Sequence, residues 1–144
     1  MKRVVLLTVL LFSLMSIVRC VVAQDLNYKL QRKWMLVSLK EFSKAELIHA
    51  KACIDLTSQA KAASAYVAFM GCNNLSFQLK EGKGNKISIS HIGGTRKFCS
   101  DHLDLENQFI SVFSRMHSYA INGHFLTLTN KEGEKMVFVA ADWD

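Results

Sequence analysis

Along most of this chain apolar side chains recur at every second position in short runs, and turn-forming residues separate the runs. A period of two turns one face of each run towards a core and the other towards solvent, the pattern of half-buried β-strands. Ala52, Ile54 and Leu56 alternate with Cys53, Asp55 and Thr57; Leu75, Phe77 and Leu79 alternate with Ser76 and Gln78; Ile87, Ile89 and His91 alternate with Ser88 and Ser90. Gly82-Lys83-Gly84-Asn85 makes the last two runs a hairpin. Asn122-Gly123 makes a second hairpin from 119–121 and 124–129, because Asn-Gly readily takes the positive φ angles of a type I′ turn. Residues 34–39, 66–70 and 135–140 complete the strands, the last after a turn at Lys131-Glu132-Gly133. Residues 58–65, small and without an apolar stripe, read as a connection.

The period changes once. Between residues 100 and 117, Leu105, Phe109, Val112 or Phe113, and Met116 return at three- and four-residue spacing, which predicts one amphipathic helix. Asp101, Asp104 and Glu106 crowd its first turns and Arg115 its last, in accord with the helix dipole, and Ser100 or Asp101 can cap it. Six to eight short antiparallel strands with one helix predict an α+β, mainly antiparallel β domain. It should form a strongly curved sheet or partly closed barrel with the helix packed on it.

The start of the chain follows other rules. Met1-Lys2-Arg3 precedes an apolar run of 15 residues, 4–18, ended by Arg19, the layout of a secretory signal and shorter than a bilayer span. Val21 and Ala23 supply the small residues a signal peptidase reads, so cleavage is expected between Ala23 and Gln24. This divides the chain into a signal peptide at 1–23, a flexible polar lead-in at 24–33 and a domain at 34–144. Cys20 suggests a lipid-modified cysteine instead, but bulky Arg19 stands where that processing needs a small residue. Removing Lys2, Arg3 and Arg19 lowers the formal charge from +6 to +3, too little for a nucleic-acid footprint. With no proline in the chain there is no Pro-rich linker either, so one compact domain is expected.

Four landmarks then occur in order: Trp34 opening a strand, Gly71-Cys72-Asn73 after a strand, Thr95-Arg96-Lys97-Phe98-Cys99 before the helix, and Leu105-Glu106-x-x-Phe109 within it. Tyr119-x-Ile121-x-Gly123-x-x-Leu126-x-Leu128 continues the set. The sequence resembles the META/HslJ family from about Trp34 to Val139. It departs from the family at Phe77, where glycine is common, and at Lys97-Phe98, where Met-Ala is usual. The resemblance implies an exported or outer-membrane-associated protein linked with stress responses, with no established catalytic residues. It also implies that Cys72 pairs with Cys99, whereas the residues alone leave two reduced, buried thiols open as the alternative and Cys53 without a partner.

Other constellations are weaker. Cys99-x-x-His102 with His91 upstream has zinc-ligand types but lacks the remaining ligands, so His102 reads as a solvent-facing residue at the helix start. A Cys99 nucleophile with a histidine base is the only enzymatic arrangement in view. Asn73 reads as a turn former whose side chain ties down neighbouring amides, Thr95 as a structural landmark, and Glu106 as an acceptor for loop amides or a complement to the helix dipole. The expected function is a non-enzymatic envelope protein, periplasmic or secreted, that binds an envelope protein or component without cofactor or metal. The alternative is a carrier of small apolar ligands in a lipocalin-like cavity under the helix, lined by Phe109, Phe113, Phe125 and Phe138.

Overall fold

A computed structural model describes residues 26–60 and 65–143. The expected signal peptide, the cleavage point at Ala23 and Gln24, and Cys20 lie outside the described residues. In chain order the elements are β1 (Lys33–Leu39), α1 (Lys44–His49), β2 (Cys53–Ala60), β3 (Ala65–Phe69), β4 (Asn74–Gly82) and β5 (Lys86–Gly94). They continue with α2 (Leu103–Phe113), β6 (Met116–Asn122), β7 (Phe125–Asn130) and β8 (Lys135–Ala140). The eight strands form a closed barrel in which each pairs antiparallel with its sequence neighbour and β8 returns to β1. Closure goes one step beyond the partly closed alternative, although β5 and β6 pair only at Lys86 and Ser118.

The period-two pattern sets which side chains point inward. Leu36 on β1 faces Phe138 on β8, which faces Leu126 on β7, and all three are buried. The helix α2 lays Leu105, Phe109, Val112 and Phe113 into this core. Phe113 stacks on Phe109 at 4.6 Å between ring centroids and meets Phe77 edge-on at 4.9 Å. Phe77, the departure from glycine noted above, is thus a core residue.

The helix is shorter than its apolar spacing predicts. Met116, in register with the stripe, has become the first residue of β6, and Arg115 reaches back from beyond the helix to the Ser111 carbonyl at 3.1 Å. At the other end His102 is the N-cap and makes no side-chain capping bond; the Ser100 hydroxyl donates to Asp101 instead. The preceding loop, as shown below, is tied to the β3–β4 junction, and the helix begins only where that tether ends.

Other corrections have equally local causes. The expected connection at 58–65 is partly strand, since β2 runs to Ala60 and pairs with Ala65 on β3. His91 leaves the alternation of β5 because it is the extra residue of a bulge opposite Phe77, with φ +54°, so it is exposed and Ile92 turns inward in its place. Asn122 pairs directly with Phe125, so the two-residue loop is Gly123-His124; only Gly123 has positive φ, the pattern of a type II′ turn. The polar lead-in is not merely a lead-in over its described part: Leu26 and Leu30 are buried in the core, and the Leu30 carbonyl accepts the Trp34 indole N–H at 2.9 Å. Glu81 secures this segment by accepting from the Asn27 amide and from the Tyr119 hydroxyl.

A second helix, α1, was not expected. It has one buried residue, Leu47, too few for an apolar stripe, but Ser43 and Glu46 form a reciprocal capping box that Ser-x-x-Glu announces in sequence.

Candidate functional site

The family-like landmarks converge at the junction of β3, β4 and the loop before α2. Gly71 turns the chain out of β3 with φ +97°, and a Cβ there would lie 2.7 Å from the His102 ring, so glycine is needed for both conformation and space. Cys72 is joined to Cys99 across 5.8 Å between Cα atoms. Buried Asn73 then binds in three directions. Its backbone and side-chain N–H groups donate to the two oxygens of Glu106 at 2.8 and 2.9 Å. Its carbonyl oxygen accepts from the Thr95 hydroxyl at 2.8 Å and from the Lys97 amide at 2.7 Å. Trp34 is not part of this cluster: it is fully buried on β1, opposite Ile54 of β2 and Ala140 of β8, with Arg32 5.6 Å from its ring.

This arrangement is a set of ties between the β3–β4 junction, the loop before α2 and α2 itself. Both carboxylate oxygens of buried Glu106 are engaged, and Cys99 is oxidised and offers no thiolate. His102, expected to face solvent, is half-buried against Gly71. Its ring lies 5.6 Å from His49 of α1, in a cleft of about 440 Å³ that also exposes Glu46, Asp101 and Asp104. Glu46 is held by its capping box, and among the described residues no three His, Cys, Asp or Glu side chains converge with geometry to hold a metal. His91 is remote from this pair, exposed on the β5 bulge.

A different surface stands out on the outside of the barrel. Side chains opposite the inward set should be polar, yet the register aligns Phe125, Val139, Met35, Cys53 and Phe69 in one row across β7, β8, β1, β2 and β3. Over the β1–β8 part of this row α1 raises Leu47 and Ile48 on one side, and Trp143, seated edge-on against Phe125 at 5.8 Å, stands on the other. Between them runs a groove of about 480 Å³. Ile48, Phe125 and Trp143 are 58%, 43% and 48% exposed, a cluster of large apolar side chains of the kind that marks a binding surface. Cys53 is the free thiol among the described residues, half-buried in the row, and burial pushes its pKa up, away from reactivity.

The four phenylalanines assigned to an internal cavity therefore separate. Phe109, Phe113 and Phe138 are fully buried and pack the interior, whereas Phe125 is outside. Sequence reasoning missed the outer groove because it followed inward-facing alternation alone. The available signal was the unbroken apolar character of Trp34 to Val37 and of Met136 to Ala140, which an antiparallel barrel strand shows only when both of its faces find apolar company.

The fold and site together define a class: a closed eight-stranded antiparallel barrel whose helix is pinned by a disulfide and an Asn–Glu tie. The META domain family model matches residues 24–143, and the chain belongs to that family. Similar solved structures include a protein from Burkholderia xenovorans, 18% identical, with TM-score 0.64 over 78% of this chain and 83% of that one. Another is a DUF4847 family protein from Bacteroides vulgatus, 13% identical, with TM-score 0.50 over 79% and 95% of the two chains. At these identities the likeness shows the fold. A search of curated proteins found no match.

Proposed function

We propose that this protein is an exported, non-enzymatic binding module that engages a component of the cell envelope through the apolar groove outside its barrel, and so supports the envelope under stress. The observation that carries this reading is the apolar row on a surface where a freely soluble barrel would present polar side chains. The Cys72–Cys99 disulfide suits an oxidising compartment. No helix among the described residues is long and apolar enough to cross a membrane. The interior does not favour the carrier alternative in its original form, because the rings beneath α2 pack against one another.

The test joins location to surface. Mass spectrometry of the protein recovered from the producing cell's envelope compartment should give a chain beginning at Gln24. Purified protein should co-sediment with envelope fractions, and Val139→Lys, a half-exposed position, should abolish this without lowering the melting temperature. A chain retained in the cytoplasm, or co-sedimentation indifferent to Val139→Lys, would overturn the reading.

A further inference from the structure

The groove has a feature that narrows its ligand. Of the residues that line it, Lys44 is the charged one. Lys44 sits at the first position of α1, where the helix dipole mildly disfavours a cation, and it makes no ion pair among the described residues. Its side chain is exposed, so its ammonium is accessible to a ligand in the groove. We infer that the groove binds a single anionic lipid chain, a long-chain carboxylate whose tail lies over Met35, Val37 and Val139 and whose head group pairs with Lys44. This rests on the groove being the protein's binding surface.

Three observations point to this occupant. The groove's volume, about 480 Å³, falls within the roughly 300–1,000 Å³ of small-molecule sites. Met35, Val37 and Val139 are half-buried while Ile48, Phe125 and Trp143, which line the same groove, are exposed, an uneven apolar surface that suits a slender chain. Its lining holds no acidic residue to repel an anionic head group, and the Lys44 ammonium supplies the complementary charge.

Calorimetric titration of the purified protein with dodecanoate, below its micellar concentration, is the test. Saturable one-to-one binding is expected. Lys44→Glu should weaken it by about tenfold or more, the loss of one charge-assisted contact and its replacement by repulsion, while improving binding of dodecyltrimethylammonium. Val139→Lys should block the floor and abolish binding of both. Absence of saturable dodecanoate binding, or binding untouched by both substitutions, would overturn the inference. So would binding confined to anionic phospholipid vesicles, which would make the surface a membrane contact. Self-association lost in Val139→Lys would equally overturn it, by assigning the face to a second copy. If dodecanoate fails while envelope co-sedimentation still depends on Val139, the broader binding function stands and the lipid assignment alone falls.

Discussion

At the scale of single residues, the junction depends on complementarity of donors and acceptors. Glu106 offers two acceptors to two Asn73 donors, so Glu106→Gln must set an amide NH₂ against one of them. We expect a loss of about 2–3 kcal/mol, measured by denaturant unfolding, from one broken charged hydrogen bond and one buried donor left unpaired. A second residue-scale effect is a matter of pH. The Tyr119 phenol is pushed up to about 12 from the ordinary 10.0, chiefly by burial and then by its hydrogen bond to Glu81. Folding thus favours the protonated phenol. Its contribution to stability is complete below pH 10.0 and is lost as the pH climbs towards about 12. Phenolate absorbance should show one tyrosine ionising late, and Tyr119→Phe should flatten the alkaline fall in stability; an unchanged slope would remove Tyr119 from the account. The pairing of Asn73 with Glu106 was not legible in the sequence, since the two are separated by the whole β4–β5 hairpin.

At the scale of elements, α1 is the wall most easily lost. It has 6 residues and a single buried anchor, Leu47, so its capping box holds a large share of its stability. Ser43→Ala should cost about 1 kcal/mol in unfolding experiments. It should also weaken dodecanoate binding, because a frayed α1 no longer holds Ile48 and Lys44 at the groove. Equal affinity in this variant would show that α1 is not part of the site. The longer helix was legible from its period but its limits were not. Met116 satisfies the helical stripe and the inward face of β6 equally well, and the tethered loop and the barrel register decide between them. Likewise Asn122-Gly123 announces a hairpin, while pairing of Asn122 with Phe125 selects the turn type.

At the scale of the whole molecule, the barrel has one weak seam and one staple. β5 and β6 align at a single position, Lys86 with Ser118, and α2 is inserted between them in sequence. Hydrogen exchange should find the amides along this seam among the least protected of the sheet; protection equal to that of β7–β8 would refute it. The disulfide closes the 27-residue separation that spans the first hairpin and fixes the entrance to α2. Removing it as Cys72→Ala with Cys99→Ala should cost about 3.5 kcal/mol, read from guanidinium unfolding with and without reductant. The chain's own order of residues determined the strands and the main helix, because periodicity and turn chemistry act over a few neighbours, while the pairing of Cys72 with Cys99 was implied only by the family resemblance. Tertiary structure alone decided that the sheet closes, that the interior is packed with rings, and that Met35, Cys53, Phe69, Phe125 and Val139 share one outer row. Those outcomes depend on inter-strand register, which joins residues from opposite ends of the chain; the unbroken apolar runs at 34–37 and 136–140 mark strands apolar on both faces but not which strands lie side by side.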